Sequence, residues 1–401
     1  MDGQWSRLVE WLGRNGMKTG SNDLLVRPQE IADRGRGLVL TQDVEKGTPL
    51  FTLPASVLLN YKTLRTAYPY LYNRNGELED ITATQLITLH LFLWRPNADK
   101  ASMDELFGPY IDVLPSDFEW HPIWQAAIEE RRENVPPATR AALEKAVQKF
   151  RADWANILTV AERFPQLEAL GIDRSDTGRA LWAWLNVNTR SVYQQLRPVK
   201  SHPDNLSLCP VLDFANHVPD EGDGGNVMTT RSNSLTFHSA KNHGQQAGDE
   251  VFLCYGPHGN SKLYVEYGFM TERGAEANVD DIVEKMLDES GNGQVKRRLL
   301  KRHGYWGDWA LYEWPEIGPS YRLLPALCLI SMGEAEWEIA ISGNRSFKEA
   351  EADAYLAQIC GHVIARAEGG VGAGNVGQLW EEEARVAEAV RAKLHSGRSV
   401  W

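Results

Sequence analysis

Gly248 to Phe269 reads GDEVFLCYGPHGNSKLYVEYGF. Gly248 and Asp249 signal a turn, and the apolar run Val251 to Cys254 after it predicts a short strand. The strand delivers Tyr255 directly ahead of Gly256 and Pro257. A second tyrosine, Tyr267, stands before Gly268 and Phe269. Two core tyrosines beside a turn are ordinary, so this stretch gains meaning only from its surroundings.

Upstream, Leu208 to Val218 reads LCPVLDFANHV, an apolar strand-like start followed by Asp213, Asn216 and His217. Asn and His offer both donors and acceptors, and buried polar groups must be paired. The cluster therefore bonds backbone or a ligand, or closes a turn through its own Asx bonds. Closer to the start, from Asp33 to Leu59, a glycine-rich RGRGL turn precedes Leu38, Val39 and Leu40. A charged turn at Asp43 to Gly47 then leads to Leu50, Phe51 and Leu53, ended by Pro54. Short apolar runs between glycine and proline predict strands joined by tight turns.

Outside these stretches the pattern is helical. Trp5, Leu8, Val9 and Leu12 share one face of a short N-terminal helix. From about residue 61 to 203 the helical period dominates, most clearly in the stripe Leu143, Val147, Phe150, Trp154, Ile157, Leu158 and Ala161. A further helix is expected from Leu181 to Tyr193, carrying Arg190. β-type signals return between Leu206 and Phe269, and helices again from about Asp280 to the end. The expected domains are an N-terminal helix over 1–20, a β-rich domain over 21–270 with its helical insert at about 61–203, and an all-helical domain over 279–401. Gly372, Gly374 and Gly377 spell GxGxxG, but a dinucleotide fingerprint needs a strand before it. A helix-like segment precedes it here, so it reads as a loop between helices.

A net charge of −12 leaves no basic stripe to neutralise phosphates, which argues against nucleic acid and suits a basic protein partner. Cys209, Cys254, Cys328 and Cys360 form no CxxC pair, so neither a zinc cluster nor a disulfide framework is expected. The longest apolar run, Leu323 to Ile330, is far short of the ~20 residues that span a bilayer. A soluble monomer of the cytoplasm or nucleus is the expectation.

Taken in order, RGRGLVLTQDVEKGTPLF, LCPVLDFANH and GDEVFLCYG with its following YGF resemble the SET-domain methyltransferases. The resemblance is to the branch holding Rubisco large-subunit lysine methyltransferase and the ribosomal-protein lysine methyltransferases, and it covers nearly the whole chain. It implies an α+β fold: a β-rich SET domain closed by a pseudoknot, a large helical insert, and a helical substrate-binding domain. It implies S-adenosylmethionine (AdoMet) as cofactor, no metal, and a lysine-bearing protein as partner. Residue by residue, it places the turn at Arg34, Gly35 and Arg36 against AdoMet through backbone groups. Arg190 pairs with the AdoMet carboxylate, Asn216 and His217 hold its amino-acid part or adenine, and Phe269 stacks near the adenine. The pseudoknot brings Asp213 to His217 beside Tyr255, the catalytic centre, with Tyr267 as the facing wall.

Two departures from the family pattern stand out. Arg34 occupies a position where relatives often carry an acid, so no cofactor role is expected of its side chain. His258 and Gly259 precede Asn260 where the actin-directed histidine methyltransferase has an arginine nearby, which favours lysine. The other readings are a histidine or N-terminal amine methyltransferase, and an inactive SET-fold binding module.

Overall fold

The computed structural model describes residues 2–32, 34–97, 100–131, 134–370 and 372–401. Asp33, where the first strand region was expected to open, lies outside the described residues. The chain divides into two compact units, Met1–Glu129 with Val147–Pro257, and Glu130–Ala146 with His258–Trp401.

The first unit opens with helix α1 (Asp2–Arg14), anchored by the buried Leu8, Trp11 and Leu12. Strands β1 (Val26–Ile31), β2 (Gly35–Leu40) and β3 (Pro49–Leu53) follow. Strand β1 lies upstream of the first strand region expected, which opened at Asp33, and it carries Pro28. It forms as an edge strand, where proline is tolerated, and pairs antiparallel with β2 from Val26↔Leu40 to Ile31↔Gly35. Helices α2 (Ala83–Trp94), α3 (Gly108–Ile111), α4 (Pro122–Ala127), α5 (Pro137–Arg163, of which the part up to Ala146 is counted with the second unit), α6 (Pro165–Glu168) and α7 (Thr177–Arg190) make the insert. The α5 stripe is buried as its period requires, with Phe150, Trp154 and Ile157 at most 7% exposed.

Helix α7 starts on Asp176, whose side chain accepts from the Arg179 N–H, and ends at Arg190, three residues earlier than expected. Residues 191–193 leave the helix to form β4 (Ser191–Tyr193), paired antiparallel with β5 (Leu206–Leu208). Long-range pairing thus overrides a local helical period. After β5 come β6 (Asn216–His217), β7 (Asn226–Thr229), β8 (Leu235–His238) and β9 (Glu250–Leu253). One sheet has the order β1-β2-β9-β6 and another β3-β8-β7. In the first, β9 runs antiparallel to β2 and parallel to β6.

In the second unit the stretch after Tyr255, expected to be β-like up to Phe269, contains helix α8 (Asn260–Tyr267). Gly268 ends it in the left-handed region at φ 79°, donating to the Leu263 and Tyr264 carbonyls. The aromatic content of this short helix imitated a strand. Beyond it lie β10 (Glu276–Asn278), α9 (Asp280–Glu289), α10 (Gly293–His303), β11 (Ala310–Tyr312), β12 (Gly318–Pro319), α11 (Leu323–Ser331), α12 (Glu334–Ile341), α13 (Glu349–Glu368) and α14 (Asn375–His395). Within the segment expected to be all-helical, β11 and β12 form a three-stranded sheet with β10, which lies in the expected gap before it; the strands are too short for any periodicity to announce. Trp309, Leu327, Trp337, Ile359 and Val386 centre the core of this unit. Of the GxGxxG glycines, Gly372 and Gly374 lie between α13 and α14 and Gly377 lies in the first turn of α14, with a helix and not a strand before them.

Candidate active site

Parallel pairing of β6 with β9, Asn216↔Phe252 and His217↔Leu253, sets the Asp-Asn-His segment alongside the strand that leads to Tyr255. The Tyr255 main-chain N–H donates to His217 Nδ1 at 3.1 Å. The Tyr255 hydroxyl donates to the Ala215 carbonyl at 2.8 Å, and the two rings lie 5.0 Å apart. Both ends of Tyr255 are therefore held by residues 215–217. Since its hydroxyl proton is committed to a carbonyl, the phenolic oxygen meets any other group as an acceptor.

Asn216 turns its amide toward β9 and donates from Nδ2 to Glu250 Oε1 at 2.8 Å. Arg34 reaches the other oxygen of Glu250 at 3.2 Å while its side chain stays 57% exposed. This spends the Arg34 guanidinium on Glu250. Gly37 makes room for the arrangement, because a Cβ there would stand 2.8 Å from Glu250 Oε1 and 3.0 Å from Asn216 Nδ2. Gly35, at φ 70°, supplies the left-handed turn before it.

Asp213 sits on a strained backbone. Val211 takes φ 70° and ψ −51°, a conformation a β-branched residue adopts only when its surroundings impose it, at a cost of about 1–3 kcal/mol. Two residues on, the Asp213 carboxylate is fully buried. Its Oδ2 accepts from the Tyr110 hydroxyl at 3.0 Å and lies 3.6 Å from Arg190 Nη1. Arg190 also donates from Nη1 to the Asp213 carbonyl at 2.8 Å. Burial raises the Asp213 pKa, opposed by Arg190, the Tyr110 hydrogen bond and Arg36. Burial, then the Asp213 charge, pushes the Tyr110 hydroxyl well above its ordinary value, so it remains a donor. Arg36 donates from Nη1 to the Val113 carbonyl at 2.6 Å and lies 5.0 Å from the centroid of the Phe214 ring.

The structure thus gathers Arg34, Gly35, Arg36, Arg190, Asp213, Asn216, His217 and Tyr255 in one unit. Tyr267 and Phe269 belong to the other. There their rings lie 6.0 Å apart, and Tyr267 stacks on His258 at 6.5 Å. Burial raises the Tyr267 pKa to about 12. Three residues escaped the sequence reading. Tyr110 lies 103 positions from Asp213 in the helical insert, with no local signal of its role. Glu250 stands within the quoted GDEVF stretch but shows its purpose only through pairing with Asn216. Gly37 reads as one glycine of a turn until its neighbours are known.

Comparison with known proteins finds 30% identity over 362 residues with SET domain-containing protein 4 of Mus musculus, covering 85% of this chain and 76% of the relative. The ribosomal lysine N-methyltransferase set11 of Schizosaccharomyces pombe is 26% identical, covering 76% of this chain and 70% of that protein. A solved structure, the SET domain of LSMT bound to lysine and AdoHcy, superposes with a TM-score of 0.66 at 17% identity, covering 99% of this chain and 92% of that one. No protein-family model matches the chain.

Proposed function

The chain belongs to the SET-domain protein family, and we propose that it is an AdoMet-dependent protein-lysine N-methyltransferase. The observation that carries this reading is Tyr255 pinned at both ends by residues 215–217, a segment that continues from Asp213, whose buried carboxylate the half-buried Arg190 and Arg36 act on. The residues fit the cofactor. Arg190 Nε and Asp213 Oδ1 are buried without a partner, a donor and an acceptor suited to a zwitterionic amino-acid group. Arg190 would hold the carboxylate through a charge-assisted pair. Asn216, oriented by Glu250, and His217 would hold the rest of that moiety or the adenine.

AdoMet supplies a methyl group on a sulfonium, open to in-line displacement by an amine. The task left to the protein is to present that amine neutral and aligned. A lysine has an ordinary pKa of ~10.4, and desolvation beside aromatic rings lowers it. The Tyr255 oxygen, as an acceptor, takes an N–H of the neutral amine and leaves its lone pair pointing elsewhere. Holding the reactants in this geometry supplies much of the acceleration. The assignments of Tyr267 as a wall and Phe269 beside the adenine rest on the family motif alone.

A basic, lysine-bearing protein such as a ribosomal protein is the proposed substrate, supported by the charge of −12 and by the lysine specificity named for the fission-yeast relative. A monomer in the cytoplasm or nucleus, acting on neither nucleic acid nor membrane, completes the proposal. No helix among the described residues is long and apolar enough to cross a membrane. The test is to incubate the purified protein with methyl-labelled AdoMet and a cell extract, then hydrolyse the labelled band. Methyl-lysine is the expected product. Label in methyl-histidine would move the assignment to histidine, and AdoMet binding with no transfer to any protein would leave a binding module.

A further inference from the structure

Three charges in the first unit do not balance. The guanidiniums of Arg36 and Arg190 both act on the carboxylate of Asp213 and repel each other. Among the described residues, the further charge that acts on Arg36 is that of the exposed Glu30, and it acts most weakly. Asp213 faces Arg190, Arg36 and the neutral Tyr110. Among the described residues two half-buried cations face one buried anion, and a partly desolvated positive charge left over is costly unless an anion joins it. Arg36 spends Nη1 on the Val113 carbonyl at 2.6 Å, yet its Nε is buried without a partner, like that of Arg190. The backbone of Arg36 belongs to the turn assigned to the cofactor, while its side chain had been given no part.

We infer that the Arg36 side chain is a second cation for the carboxylate of AdoMet, acting beside Arg190 and selecting ligands that carry an amino-acid carboxylate. The inference rests on the reading that this unit holds AdoMet. Asp213 then spaces the two guanidiniums, and the incoming carboxylate brings the cluster to neutrality. Both unpartnered Nε–H groups belong to side chains suited to carboxylates, because guanidinium presents its donors in a fixed fork.

Calorimetric titration with AdoMet and with decarboxylated AdoMet, which lacks only the carboxylate, tests the role. Wild type should prefer AdoMet. Arg36→Gln, which keeps a donor for the Val113 carbonyl, should weaken AdoMet binding by about 10- to 100-fold, as expected for a lost charge-assisted bond. Its affinity for decarboxylated AdoMet should be unchanged or tighter, since a repelling positive charge is gone. Arg36→Lys should recover much of the loss. Arg36→Met, which can keep the contact with Phe214, supplies the same comparison if Arg36→Gln does not fold. Equal weakening of both ligands would show a structural prop, and unchanged AdoMet binding would show no role; either outcome overturns the inference. Wild-type protein that binds neither ligand overturns the AdoMet reading itself.

Discussion

The main-chain N–H of Tyr255 donates to Nδ1 of His217, 3.1 Å away. A backbone N–H can only donate, so Nδ1 carries a lone pair and the imidazole proton of the neutral ring sits on Nε2. His217 thus acts on Tyr255 as a fixed acceptor, while the Ala215 carbonyl fixes the hydroxyl at the other end.

Tyr255→Phe keeps the ring and the backbone bond but removes the oxygen proposed to hold the amine. Methyl transfer should fall on the order of 10²-fold or more, the scale of losing one positioned polar group at a reaction centre. AdoMet affinity by calorimetry should change little. Normal turnover on the true substrate would refute the role of the hydroxyl.

His217→Ala strips the acceptor from the Tyr255 N–H. A partly buried donor left unsatisfied costs about 1–3 kcal/mol, readable in a urea melt. Transfer should fall alongside, because the strand end carrying Tyr255 loses its anchor. A variant as stable and active as wild type would show that the bond is incidental.

Gly37→Ala places a methyl 2.8 Å from Glu250 Oε1 and 3.0 Å from Asn216 Nδ2. Both atoms belong to side chains that can shift, so the protein should fold with a loss of about 1–3 kcal/mol. The expected signature is weaker AdoMet binding as the Asn216–Glu250 bond is displaced. Unchanged affinity would mean that Asn216 does not contact the cofactor through this orientation.

Tyr110→Phe removes the hydroxyl donor from the buried Asp213 carboxylate. The cost should be about 1–3 kcal/mol in stability, for a buried acceptor losing its partner. The fully buried carboxylate, relieved of that bond, should take up a proton at higher pH. Stability and AdoMet affinity measured against pH would reveal this, and profiles identical to wild type would count against any coupling through Tyr110.

In the second unit, burial and then the charge of Glu382 raise the Glu276 pKa to about 7, from an ordinary value of 4.5. A carboxyl with a raised folded-state pKa stabilises the fold fully below about pH 4.5, and that contribution is lost as pH rises through 7. Glu276→Gln removes the titration. The variant should gain several degrees in Tm relative to wild type at pH 8 and little at pH 4.5. A difference independent of pH between variant and wild type would exclude Glu276 as the titrating group.

Much of this protein is legible locally. The α5 stripe, the glycine-bounded strands and the Asp-Asn-His segment announce themselves because each depends on residues close in sequence. The helix end at Arg190 was read too late and α8 was read as β, for one reason: short segments rich in β-branched and aromatic residues are decided by their partners. Ser191 to Tyr193 find Leu206 to Leu208, and Asn260 to Tyr267 find none and close a helix on Gly268.

The sequence by itself determined the family, the broad alternation of β-rich and helical stretches, and the identity of Tyr255, Asn216, His217 and Arg190 as the residues to watch. Their types and neighbours are written along the chain. Tertiary structure alone decided what those residues do to one another. The parallel pairing of β6 with β9 sets His217 against the Tyr255 backbone and gives Asn216 to Glu250. Folding exposes the buried Asp213 to the charges of Arg190 and Arg36 and brings Tyr110 to it across 103 positions. Hydrogen bonds and charge balance depend on distance in space, and that distance is set only when the sheet closes and the core excludes water.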